Sequence, residues 1–230
     1  MAPFGASRAG LMSVAEDDIP DTAVAYLSTQ DTETVSESSG TFTVEDQAGG
    51  ATVTGPATDY DADGINDNPA LRFNADDVGP LSGSFNETLT DRLVVMMVLD
   101  VDNEEVGGGH VSLASAENPG SDDVIYQMAS AGFPGEYDIQ HSGAGRITGN
   151  QNTFEPELLT VDVNGTSSAV RRNGSEILTG ELNETGWNDL FIFLNDDLKG
   201  YWGHLEIHDP APDNINERES DLMSLWGISS

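Results

Sequence analysis

Residues 200–228, GYWGHLEIHDPAPDNINERESDLMSLWGI, carry a strand pattern that passes into a helix pattern within one stretch, and the fold class follows from that join. From Tyr201 to His208 one pleat face carries Tyr201, Gly203, Leu205 and Ile207, and the other carries Trp202, His204, Glu206 and His208. That is the period of a strand with one dry side and one more polar side. After the prolines, Asp213 or Asn214 can cap a helix, Glu217 stands at capping-box distance from Asn214, and Ile215, Leu222, Leu225 and Trp226 fall on one stripe. Gly227 stops the helix.

Upstream, short strand-like runs alternate with Gly, Asn, Asp and Pro clusters, as in sandwiches and barrels. Strands are expected at Thr41–Glu45, Ala51–Thr54, Ala70–Phe73, Leu93–Asp100, His110–Ala114, Val124–Ala129, Tyr137–His141, Leu158–Val163, Ser168–Arg172, Trp187–Leu194 and Tyr201–His208. LVVMMVL and LFIFL are apolar on both pleat faces and too short for helices, so they read as central strands covered on both sides. No repeat of solenoid or propeller length is present. Residues 1–24 lack a period and read as an arm that docks through Phe4, Leu11, Met12, Val14 and Ile19; residues 25–230 read as one domain.

Composition narrows the function. The chain has 41 Asp and Glu against 8 Lys and Arg, Lys199 being the only lysine, for a formal charge of -33. No basic stripe exists to neutralise phosphates, which argues against nucleic acid and against anionic membranes. The charge also repels itself unless salt screens it over a Debye length of roughly 3 Å at molar ionic strength. The reading is a protein for strong brine; an acidic extracellular protein in a calcium-containing medium is the alternative. Cysteine is absent, which excludes disulfides, thiolate metal sites and a cysteine nucleophile. The longest apolar run, Leu93–Leu99, is far short of the roughly 20 residues that cross a bilayer. The opening MAPFGASRAGLMSVAEDD has one Arg and no sustained apolar core, which argues against a signal peptide.

The closing segment resembles that of LamG-like domains of the concanavalin A-like lectin/glucanase superfamily. Gly203, Leu205, Glu206 and Ile207 stand at its strand positions, and Glu217, Arg218, Trp226 and Gly227 at its helix positions. PALRF at Pro69–Phe73, VRRNG at Val170–Gly174 and DLFIFL at Asp189–Leu194 look similar to earlier strands of the family. The resemblance implies an all-β, two-sheet antiparallel jelly-roll sandwich with a short C-terminal helix. It also implies a setting among phage or archaeal-virus structural proteins, or among secreted polysaccharide-active ones.

Three constellations bear chemistry. Asp59, Asp61, Asp63, Ile65 (through its carbonyl) and Asp67, with Gly64 at the turn position, reproduce the spacing of a calcium loop, although Ala70 replaces the bidentate Glu and no helix flanks it. A structural Ca2+ is the expectation there. His204, Glu206 and His208 alternate on one face and can present two imidazoles and a carboxylate to a metal, but no distant ligand completes the set and a structural role is the stronger reading. The segment 133–154 offers Phe133, Tyr137, His141, Arg146 and Asn150 in a flexible frame suited to a pyranose, with Trp187 and Trp202 reading as core. The superfamily's catalytic E-x-D-x-x-E strand has no copy here, and no nucleophile elbow or phosphate-cradling loop is present. Sequons occur at Asn86, Asn164, Asn173 and Asn183.

The expected function is therefore non-catalytic. A surface protein of a halophilic virion, as spike, fibre or capsid decoration, would contact other virion proteins through its arm, form a homo-oligomer and meet a host-surface glycan. A secreted carbohydrate-binding or polysaccharide-processing domain is the alternative.

Overall fold

A computed structural model describes residues 19–31, 34–48, 52–56, 60–73, 81–82, 92–101, 111–114, 127–128, 136–141, 145–151, 153–182, 191–194 and 200–230. The first third of the chain contributes β1 (Ala23–Ser28), β2 (Val35–Ser38), β3 (Thr41–Glu45), β4 (Thr52–Pro56), β5 (Tyr60–Ile65), β6 (Asn68–Phe73) and β7 (Leu81–Ser82). The middle contributes β8 (Leu93–Val101), β9 (Val111–Ala114), β10 (Gln127–Met128), β11 (Glu136–His141) and β12 (Gly145–Gln151). The last third holds β13 (Glu157–Val163), β14 (Ser168–Arg172), β15 (Ser175–Gly180), β16 (Phe191–Leu194), β17 (Gly200–His208) and the helix α1 (Ile215–Trp226).

The strands form two antiparallel sheets and a smaller third one. The large sheet runs β15-β14-β13-β8-β17-β6-β5, with β1 also paired to β17; the second runs β2-β3-β4-β7-β16-β9. This is the expected two-sheet sandwich with a short C-terminal helix. The three-stranded sheet β10-β11-β12 was not expected. Within the frame read over 133–154, Glu136–His141 and Gly145–Gln151 are paired strands, with Gln140 opposite Arg146 and His141 opposite Gly145.

β8 is central, as its composition requires. Leu93, Val95, Met97, Leu99 and Val101 enter the core between the sheets, and Val94, Met96 and Val98 enter a second cluster beneath α1. β16 lies between β7 and β9. β17 pairs β8 on one side; on the other, Gly200–Trp202 pair β6 and His204–His208 pair β1.

The changeover occurs at a bulge at Gly203, which the strict alternation read from the sequence did not foresee. A bulge adds a residue and reverses facing beyond it. Trp202 therefore joins Leu205 and Ile207 in the inter-sheet core, whereas Tyr201 joins the helix side. Thr29 seals the break, its N–H donating to the Gly203 carbonyl at 3.0 Å and its hydroxyl to the Pro69 carbonyl at 2.6 Å. A Cβ at residue 203 would overlap the Trp226 ring, so glycine is what lets the helix settle on the sheet.

α1 is capped as expected. Asn214 Oδ1 accepts from the Glu217 N–H at 3.2 Å, and Gly227 takes the left-handed conformation at φ 63°. The stripe needs one correction: Leu222 and Trp226 are buried, but Leu225 is 36% exposed, and Glu219, one turn before Leu222, is buried with them. Two reciprocal ion pairs hold helix to sheet. Arg171 of β14 donates to Glu219 of the helix at 2.9 Å, and Arg218 of the helix donates to Glu206 of β17.

Candidate functional site

The Asp-rich segment read as a calcium loop is a strand and a turn. β5 pairs β6, with Ile65 opposite Asn68 and both turn residues, Asn66 at φ 48° and Asp67 at φ 62°, left-handed. Asn and Asp tolerate that conformation, which explains the Asn-Asp pair in a tight hairpin. Asp61 Oδ1 accepts from the Asp63 N–H at 3.0 Å, Ile65 is buried beneath α1, and Asp59 lies outside the described residues. Asn66 Nδ2 donates to the carbonyls of Trp226 and Gly227 at 3.0 and 3.2 Å, so the hairpin tip satisfies the open end of the helix. Gly64 also acquires a different reason: a Cβ there would fall 2.8 Å from both Ala70 Cβ and Tyr201 Cδ1. Among the described residues, no group of three or more His, Asp and Glu converges to hold a metal.

His204, Glu206 and His208 do come together, around the carboxylate itself. The two imidazole Nε2 atoms lie 2.9 and 3.0 Å from the two Glu206 oxygens, and Arg218 Nε lies 2.9 Å away, all beneath the helix. An ionised carboxylate only accepts, so both imidazoles carry their proton on Nε2. His208 Nδ1 then accepts from the Thr22 hydroxyl at 3.0 Å, while His204 Nδ1 is buried without a partner. Burial opposes ionisation of Glu206, but bonds from Arg218, His204 and His208 outweigh it and hold the carboxyl well below its usual range. Both Glu206 oxygens and both Nε2 atoms are thereby bonded to one another, while His204 Nδ1 keeps its lone pair. Arg218 stood in the family-like helix, but its reach back to Glu206 across 12 residues had no signature in spacing alone.

Of the residues expected to meet a sugar, Phe133 lies outside the described residues, His141 and Asn150 fall on β11 and β12, and Arg146 is exposed on β12. Tyr137 is turned inward: it is 0% exposed and its hydroxyl donates to Glu157 Oε2 at 2.6 Å. This buried pair ties the small sheet to β13. Burial pushes Glu157 up to about 7, against the lowering effects of the Tyr137 hydroxyl and of Arg172, and Asp100 pushes it the same way.

A different group faces outward. Tyr201 pairs Arg72 on one side and Asp100 on the other, so the three side chains form a row across β6, β17 and β8. Arg72 Nη1 donates to the Tyr201 hydroxyl at 2.6 Å, that hydroxyl donates to Asp61 Oδ2 at 3.1 Å, and the Arg72 guanidinium carbon lies 5.0 Å from the ring centre. All four residues are half-buried. A half-buried ring with a guanidinium over it and two carboxylates in the same group places an apolar side chain among donors and acceptors. Sequence reasoning missed the row because it depends on which residue of β6 stands beside Tyr201.

No protein-family model matches the chain, and no curated protein matches it either. Solved structures do. Trypanosoma rangeli sialidase in complex with sialic acid superposes with a TM-score of 0.59 at 10% identity, over 92% of this chain and 34% of the sialidase. The binding domain of Botulinum neurotoxin DC in complex with SialylT gives 0.57 at 13% identity, over 90% of this chain and 51% of that one. The same domain in complex with rat synaptotagmin II gives 0.62 at 13% identity, over 91% and 55%. This chain thus spans between a third and just over half of the chains it matches. At such identities the likeness establishes the fold, a two-sheet antiparallel β-sandwich.

Proposed function

We propose that the chain is a non-catalytic recognition domain that binds glycans through the row Arg72–Tyr201–Asp100 together with Asp61. The observation that carries the reading is that row: a half-buried tyrosine between a guanidinium and a carboxylate, on a sandwich otherwise rich in anions. A sugar ring needs an apolar surface with hydrogen-bonding groups of both kinds at its edge. Support comes also from the structural neighbours, of which one was solved with sialic acid and another with SialylT. In its finer form the reading is a LamG-like surface protein of a halophilic virion, a spike, fibre or capsid decoration. It would self-associate and attach to other virion proteins through residues 1–24, with Ca2+ as a structural ion at the Asp-rich hairpin. The charge of -33 supports the brine setting.

Glycan-array binding in molar salt, followed by calorimetry, tests the proposal. Sialylated or neutral oligosaccharides are expected to bind, and Tyr201→Ala to weaken binding about fivefold or more, since an aromatic contact is worth roughly 1 kcal/mol. Binding undiminished in that variant, or no binding to any glycan, overturns it.

A second reading rests on Glu157, whose carboxyl is held near 7 with Asp100 nearby, as a general acid requires. It predicts that the protein releases reducing sugar ends and that Glu157→Gln abolishes the release. Its 1% exposure is what favours the recognition reading over this one.

A further inference from the structure

Two of the sequons, Asn164-Gly165-Thr166 and Asn173-Gly174-Ser175, fall on described residues, at opposite ends of β14. The motif is the same and the surroundings are opposite. Asn173 is built into the sheet: its N–H donates to the Leu158 carbonyl and its Oδ1 accepts from the Leu158 N–H, each at 2.9 Å. The next residue lies under the helix, the Gly174 carbonyl accepting from Arg171 Nη2 at 2.7 Å, and a Cβ there would stand 3.4 Å from Met223 Cε. Freeing the Asn173 carboxamide would strip a backbone donor of its partner and press a sugar toward α1.

Asn164 completes its backbone bonding inside its own turn. Its N–H donates to Ser168 Oγ at 2.8 Å and its carbonyl accepts from the Ser167 N–H at 2.9 Å, around a 3-10 turn over Gly165–Ser167. The Asn164 side chain makes no capping bond, and Thr166, which supplies the second recognition group of the sequon, is exposed. Gly165, at φ 55°, turns the chain outward between them. Transfer to an asparagine requires a carboxamide free to rotate and a hydroxyl two residues on that an enzyme can reach, and of the two described sequons this one offers both.

We propose that Asn164 is an N-glycan attachment site of the folded protein and that Asn173 is not. The Nδ2 of Asn164 attacks the anomeric carbon of a lipid-linked glycosyl diphosphate. The N–C bond forms as the bond from that carbon to the phosphate oxygen breaks, the lipid diphosphate leaves with the electron pair, and Nδ2 gives one proton to a base of the transferase. Val163 pairs Leu93 at one end of β8 while Tyr201 pairs Asp100 near the other, so the attached sugar stands roughly 20 Å along the strands from the Arg72–Tyr201 row. The glycan therefore leaves that row uncovered.

The test is glycopeptide mapping of the full chain, secreted from a glycosylating yeast and taken as the folded fraction. Wild type is compared with Asn164→Gln and with the pair Thr166→Ser and Ser175→Thr, which exchanges the acceptor hydroxyls. Expected are occupancy of Asn164 in most molecules, loss of one glycan mass in Asn164→Gln without change in Tm, and an empty Asn173 even with threonine at 175. An empty Asn164, or comparable occupancy of Asn173 in folded protein, overturns the assignment. Where secretion fails, folded protein made without glycans and incubated with a purified oligosaccharyltransferase and lipid-linked donor gives the same decision.

Discussion

Glu206 and Glu157 are both buried carboxylates on strands of one sheet, at 0% and 1% exposure, yet one is held well below the usual carboxylate range and the other is raised to about 7. The difference lies in their donors. Glu206 faces α1 and receives N–H bonds from Arg218, His204 and His208, which together exceed the cost of leaving water. Glu157 faces the inter-sheet core and receives a tyrosine hydroxyl, with Arg172 acting through its charge, and there desolvation wins. Burial alone does not fix a carboxylate's charge; the number and kind of donors aimed at it do.

The largest expected effect comes from removing a donor at Glu206. Arg218→Ala leaves a buried carboxylate without its cation and should cost about 3–5 kcal/mol in denaturant unfolding at neutral pH and molar salt. A loss below about 1 kcal/mol would mean that the two histidines alone satisfy the carboxylate and that the comparison is drawn from the wrong partner.

pH separates the two glutamates next. For Glu157 the folded pKa lies above the ordinary 4.5, so the native state binds the proton more tightly than the unfolded chain; this contribution to stability grows as pH falls from about 7 toward 4.5. For Glu206 the folded pKa is depressed, so its contribution is present above 4.5 and is lost as pH falls below it. Glu157→Gln keeps an acceptor for the Tyr137 hydroxyl. It should be more stable than wild type above pH 7 and lose that advantage by pH 5, read from unfolding curves across the range. Parallel curves for the two proteins would remove Glu157 as the titrating group.

The smallest effect concerns how the helix end is held. Asn66→Gly keeps the left-handed turn but deletes the bonds to the Trp226 and Gly227 carbonyls, and should cost about 1 kcal/mol. An unchanged Tm would show that Gly227 already satisfies the helix terminus without help from the hairpin.

Much of this architecture was legible in residue order because it rests on local physics. β3 and β14 fall where period and composition put them, β8 is apolar on both faces because it is covered on both, and Asn214, Glu217 and Gly227 bound the helix as capping chemistry requires. The calcium-like spacing has two readings because Asp, Asn and Gly serve a tight hairpin as well as they serve a cation. In the segment 133–154 the inward turn of Tyr137 was not legible, because Tyr137, Ile139 and Ile147 alternate with polar residues and are buried in the core.

By itself the sequence determined an acidic all-β sandwich closed by a capped helix, since periodicity, turn chemistry and charge are properties of neighbours along the chain. Only the tertiary structure decided which side chains meet: that a bulge at Gly203 turns Trp202 inward and Tyr201 outward, that Arg218 completes Glu206, that Tyr137 is buried on Glu157, and that Asn66 closes the helix. Those contacts join residues up to 161 positions apart, and the register that brings them together is fixed by packing two sheets at once.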